Sequence, residues 1–379
     1  MEENVDSHQH VSRRRWLSFS IRGMLLLILV ISVPLAWIGR DLWQSRLEEA
    51  VVLRVNRNYG SVTYDYQEEN LFIPSEPPGN RLLRSIFGNH LYARVVSIVA
   101  LNPLGNDTIV KFPDLRSLET LQLGSETLDD EAIEALVQIP KLQRLILKNT
   151  EITPQQLHRL AESRSIESIW LEQSCTTDDH LLELQHFPNL SQVQIWDSPA
   201  TDTGLESLVA IKNLTDLAIV KMPEATDRSF SQLQKAKRLQ SLTLSGTQMT
   251  DQSLRAIGQL TGLQHLSIGS SMAQRGVTSD GISQLKFHTA MTTLELTGSA
   301  IDDRSIETIC SLPRLETLVL NNTAVTDQGI VPLKSASSLK HFYQGANSIT
   351  PAGMQAIGFV NNGNPGAYQR TSPVSFSSP

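Results

Sequence analysis

What this sequence lacks narrows its reading quickly. Cysteine occurs twice in 379 residues, at Cys175 and Cys310. Two thiols so far apart in the chain give no disulfide framework, and neither secretion nor retention follows from them. Lysine and arginine form no block in the body of the chain, and the formal charge is −7. A surface of that balance does not neutralise phosphates, so nucleic acid is excluded as a partner. The motifs G-x-S-x-G, G-x-x-x-x-G-K-[ST], H-E-x-x-H and G-x-G-x-x-G are absent, and the nine histidines are scattered. The chain therefore reads as a non-enzyme, with no catalytic residue, no metal site and no cofactor.

Charge is also missing from one stretch, Met24 to Ile38, which reads MLLLILVISVPLAWI. As helix it spans about 22 Å, against a hydrocarbon core of roughly 30 Å. Starting at Leu17 extends it to about 33 Å and includes Arg22, which can snorkel to the headgroups. Trp16 on one side, and Trp37 and Trp43 on the other, fit interfacial belts. The expectation is a single-pass transmembrane helix over 17–39, in contact with the lipid bilayer, after a disordered cytoplasmic tail over 1–16. Arg13, Arg14, Arg15 and Arg22 outweigh Arg40 and Arg46, which places the N-terminus in the cytoplasm and exports the body to the periplasm or the exterior. The competing readings are a cleaved signal peptide, although no A-x-A-like site follows, and a buried core helix. Residues 40–95 read as a juxtamembrane helix and an N-terminal cap. The helix runs from Leu42 to about Asn58 and stops at Gly60, and a strand follows over Ser61–Tyr66. Beyond it come a proline-rich loop at Pro74–Gly79 and a short helix at Arg81–Phe87.

From there one pattern, L-x-x-L-x-L, recurs ten times. It begins at Leu118, Leu142, Ile166, Leu190, Leu214, Leu239, Leu263, Met291, Leu315 and Leu339, with spacings of 24, 24, 24, 24, 25, 24, 28, 24 and 24 residues. A single copy could be chance in a leucine-rich chain; ten in register are not. The last two apolar positions of each copy have the period of a strand and point into a core. A turn residue such as Asn149, Asp197, Gly246, Gly298 or Asn322 ends the strand, and a hydroxyl residue follows. Thr177-Asp178, Thr201-Asp202, Thr250-Asp251 and Thr326-Asp327 then start a return helix, with Asp129-Asp130 and Asp302-Asp303 as variants. Capping of free N–H groups accounts for these pairs, because they recur turn after turn with no histidine in register.

The unit L-x-x-L-x-L-x-x-T-x-(V/M)-T-D-x-x-(I/L), clearest in Leu315–Ile330 and Leu239–Leu254, resembles leucine-rich repeats of the cysteine-containing class. With the apolar span ahead of it, the chain resembles membrane-anchored leucine-rich-repeat proteins of planctomycete-type bacteria. The class-naming cysteine is missing from most copies. The 28-residue spacing marks an insertion near Met272–Gly276, and Gln344 replaces an inward leucine. The fold expected is a right-handed α/β solenoid over 96–357, of about ten to eleven repeats. Its parallel sheet lines the concave face and short helices line the convex face. A disordered tail is expected over 358–379.

Outward strand positions offer one candidate binding patch, Ile146, Trp170, Trp196 and Val220, on consecutive strands and adjacent columns. Clustered tryptophans have the composition of an interface hot spot. The alternatives are that they cover a packing defect, that they contact the tail, or that they have no role. The function expected is a membrane-anchored scaffold of the cell envelope that holds an unknown protein or envelope ligand. The alternative is a structural or adhesive envelope component with no discrete ligand on the concave face.

Overall fold

The structure is a computed structural model, and it describes residues 21–67, 93–173, 176–269, 276–298 and 300–371. Among these residues fourteen strands form one sheet. β1 (Ser61–Tyr64) lies antiparallel to β2 (Val95–Ala100). Ten parallel strands follow, one per repeat. They are β3 (Thr120–Gly124), β4 (Arg144–Lys148), β5 (Ser168–Glu172), β6 (Gln192–Trp196) and β7 (Asp216–Val220). The series continues as β8 (Ser241–Ser245), β9 (His265–Gly269), β10 (Thr293–Thr297), β11 (Thr317–Asn321) and β12 (His341–Gly345). Helical segments return the chain on the other side. Leu121, Leu145, Ile169, Val193, Leu217, Leu242, Leu266, Leu294, Leu318 and Phe342 stand in register across β3 to β12, all of them buried. The long seventh spacing leaves this register intact, Leu266 pairing with Leu294, so its extra residues lie outside the strands. Where a strand ends, the backbone turns left-handed at Asn149, Asp197, Gly246 and Asn322, and also at Gln173 and Lys221. The turn geometry therefore outlasts the residues that favour it.

The Thr-Asp pairs do two jobs in two repeats. Each threonine hydroxyl accepts from the backbone of its own helix, as Thr201 does from Thr203 at 3.2 Å and Thr250 from Gln252 at 3.2 Å. The aspartate instead reaches forward to the next repeat's threonine. Asp178 accepts from the Thr201 amide and hydroxyl, both at 2.7 Å. Asp202 holds Thr226, Asp227 holds Thr250, Asp251 holds Thr278, Asp303 holds Thr326 and Asp327 holds Thr350 in the same way. Three residues after each threonine sits glycine or serine, because the preceding carboxylate occupies that space. A Cβ on Gly204 would stand 2.6 Å from Asp178 Oδ1, and Ser229 and Ser253 instead donate to the carboxylate. Pro154 stands where this aspartate would be, and there His180 of the following repeat reaches back to the Ile152 carbonyl at 2.7 Å.

The N-terminal segment departs from expectation. No helix among the described residues is long and apolar enough to cross a membrane. The helix Ile21–Arg57 passes without a break from Met24–Ile38 into Arg40, Asp41, Arg46, Glu48 and Glu49. Its uncharged part covers only about 22 Å. The residues that lengthened the span, 17–20, and the flanking Trp16 and Arg13–Arg15 lie outside the described residues, as do the Pro74–Gly79 loop and Arg81–Phe87. The transmembrane helix over 17–39, the bilayer contact and the single-pass topology with an exported body are accordingly set aside. The end of this helix packs on the solenoid instead, with Val51, Val52 and Val55 buried in the common core. Glu48 is buried with them, and that burial pushes its carboxyl up to about 7, opposed by Arg94 and aided by Asp65.

The other end also differs. Residues 358–371 do not form a disordered tail, because β13 (Phe359–Asn361) and β14 (Ala367–Arg370) make a hairpin and β14 pairs with β12. The Arg370 guanidinium donates to the carbonyls of Leu339, Leu333 and Ala336 at 2.8, 3.0 and 2.9 Å. It also lies 4.8 Å from the centre of the Phe359 ring. This one cation thus ties the hairpin to several carbonyls at the end of the final repeat, two of which, Leu333 and Ala336, also accept from the backbone of their own repeat. Gln344 is half-buried, as an amide in a final repeat requires.

Three outcomes follow. In Asp202 and Asp227 burial works to raise the carboxyl pKa. Hydrogen bonds from Thr226 and Ser229, and from Ser253 and Thr250, outweigh it and hold both below the usual carboxylate range. Their stabilisation is complete above the unfolded value of about 3.9 and is lost as pH falls through the lower folded values. Acid titration followed by circular dichroism should show this loss, and Asp227→Ala should cost about 2–3 kcal/mol at pH 7 with a shallower loss below pH 4. Glu48 has the opposite sign, its penalty growing from about pH 4.3 and reaching its full size above the folded value. Glu48→Gln should therefore stabilise by about 1–3 kcal/mol at pH 8 and make no difference near pH 4. A chain ending at residue 357 should melt at least about 4 °C lower, with Arg370→Ala accounting for a large part of that, since charged hydrogen bonds contribute about 1.5–3 kcal/mol each.

Candidate functional site

Outward positions of β4 to β7 bring together the four residues singled out in the sequence, though not as equals. Parallel pairing sets Ile146 beside Trp170 and Trp196 beside both Glu172 and Val220. The two indoles meet diagonally across β5 and β6, ring centres 5.5 Å apart and planes inclined at 41°. That is a favourable aromatic arrangement for neighbouring strands. Ile146 and Val220 are buried at 9% and 8% exposure, while both tryptophans are half-buried. With strands under 5 Å apart, a large ring shades the smaller side chain beside it. The indoles are thus the surface of this patch, and the two aliphatic residues support it.

The surroundings are polar. Lys148 and Glu172 form an ion pair of 2.7 Å between β4 and β5, one position beyond Ile146 and Trp170. Beside Trp196 a depression of about 210 Å³ is lined by Gln192, Gln194, Asp216, Ala218, Ser241 and Thr243. Among the described residues neither indole N–H has an acceptor, and both nitrogens are shielded from solvent. Leaving such a donor unanswered costs roughly 1–3 kcal/mol. The hairpin end of the chain joins β12, far along the sheet from β5 and β6, so its described part does not cover the tryptophans.

A second grouping lies among the return helices, where His158, Glu183 and His186 converge. The histidines look scattered in the sequence because His158 comes level with Glu183 only when neighbouring repeats pack side by side. The available signal was the E-x-x-H of Glu183 and His186 with a histidine one repeat earlier.

No family profile matches the chain, and no curated protein matches it. Among solved structures the chain is similar to an internalin from Listeria monocytogenes at 17% sequence identity, over 73% of this chain and 91% of the other, with a TM-score of 0.45. Its description as a leucine-rich-repeat solenoid rests on its own repeats and strand register.

Proposed function

We propose that this chain is a non-enzymatic repeat scaffold whose work is structural or adhesive contact along an extended surface. The supporting observation is the make-up of the tryptophan patch on the outward face of β4 to β7. Ile146 and Val220 are buried, and the indoles of Trp170 and Trp196 lie against each other with their N–H groups turned from solvent. The tryptophan rings are in large part covered by each other and by the fold, while their N–H groups have no acceptor among the described residues. What they leave outward is a broad face bordered by Lys148, Glu172 and glutamines, suited to wide contact of modest strength.

A second reading is favoured by the same pair. Two adjacent indoles are the kind of anchor on which a discrete protein partner settles. Trp170→Ala and Trp196→Ala separate the two. On the structural reading each lowers the melting temperature by about 2–5 °C, from roughly 1–2 kcal/mol of lost packing, and leaves co-purifying proteins unchanged. Melting unchanged within 1 °C, together with loss of one co-purifying protein by about 2 kcal/mol or more of binding, would favour the discrete-partner reading.

A further inference from the structure

His158 belongs to the return helix Pro154–Leu160, Glu183 ends the next one, Asp178–Glu183, and His186 closes the short 3-10 turn that follows. Neighbouring repeats lay these segments side by side, so a residue 25 positions back comes level with Glu183. His158 Nδ1 stands 2.6 Å from Glu183 Oε2, and His186 Nε2 stands 3.7 Å from the same oxygen. The two imidazoles meet edge to face with ring centres 4.8 Å apart. One ligand atom from each of the three side chains lies within 4.8 Å of the other two.

We propose that His158, Glu183 and His186 form a binding site for a first-row transition dication, Zn²⁺ above all. The donor set points to that class. Two imidazole nitrogens and one carboxylate oxygen suit zinc and its neighbours, whereas calcium and magnesium take oxygen ligands. In a tetrahedral zinc centre the ligand atoms stand about 3.3 Å apart, given bonds of about 2.0–2.1 Å. The separations of 2.6 and 3.7 Å lie on either side of that value. Side-chain rotation closes the difference, since both histidines are about half exposed. Glu183, the most covered of the three, supplies the fixed corner. On binding, His158 Nδ1 exchanges its contact with Glu183 for the metal and must present a lone pair, so its ring carries a proton on Nε2 only. Three protein ligands leave one coordination position for water or for a donor brought by a partner. The bound ion would tie two successive repeats together on the face opposite the tryptophans.

The test is a Co²⁺ titration of the full chain followed by visible absorption, with Zn²⁺ then added as competitor. It is run in a His8→Ala/His10→Ala background, so that two histidines close together in the sequence do not contribute a competing signal. The expected result is one saturable site with the intense bands of four-coordinate cobalt, bleached by one equivalent of Zn²⁺. His158→Ala, His186→Ala and Glu183→Gln should each weaken it about tenfold or more. Zn²⁺ should raise the melting temperature of the parent chain and not that of the His158→Ala/His186→Ala double variant. All three positions are at least partly exposed, so the variants should match the parent's circular dichroism. Absence of saturable binding in the parent overturns the proposal. So does cobalt absorption that survives unchanged in the double variant.

Discussion

The forward reach of one aspartate in six of the repeats is the interaction on which most of this architecture depends. A single repeat cannot bury its own apolar face and must be held against a neighbour in one register. Packing of leucines draws repeats together without saying how far one may slide on the next. The carboxylates of Asp178, Asp202, Asp227, Asp251, Asp303 and Asp327 say it, each taking the amide and hydroxyl of one threonine in the following repeat. Because the same threonine caps its own helix, each link binds the start of one helix to the start of the next. The small residue at Gly204, Ser229, Ser253 and Gly281 follows from that geometry. Where the aspartate is lost, at Pro154, the link is rebuilt from His180 and a backbone carbonyl.

A linear stack has two ends, and the two are closed by unlike means. At the first, a helix buries Val51, Val52 and Val55, and with them a carboxyl that would rather be in water. At the last, a hairpin continues the sheet and the Arg370 guanidinium holds it to the carbonyls of Leu339, Leu333 and Ala336 in the final repeat. The apolar start of the first helix remains notable, since Met24, Leu25 and Leu26 are exposed. Its charged continuation belongs to the fold.

The two faces of the stack carry different chemistry for a plain geometric reason. Strands hold outward side chains under 5 Å apart in straight columns, which lets large rings such as Trp170 and Trp196 stack and shade their neighbours. Return helices are linked at their starts by the aspartate–threonine bonds, and along their outer faces long or ring side chains bridge between them. His158, Glu183 and His186 are of that kind, as are Arg228 and Glu206, paired at 2.9 Å across one repeat boundary.

The repeat, its strands, its turns and its helix caps were legible in the sequence, because each depends on local spacing. Period 2 sets which leucines face inward, and a hydroxyl before an acid marks a helix start. So was the adjacency of Ile146, Trp170, Trp196 and Val220, since equal repeat positions become neighbours. Features that depend on what lies beside a segment were not legible. Burial of Ile146 and Val220 is decided by indoles on the next strands, and the partner of each aspartate lies some 23 residues away. The sequence alone read 17–39 as a membrane span and residues from 358 onward, of which the structure describes those up to 371, as a disordered tail. Tertiary structure decided otherwise, as a charged continuation docks one helix end on the core and Arg370 ties residues 359–370 to carbonyls of the final repeat.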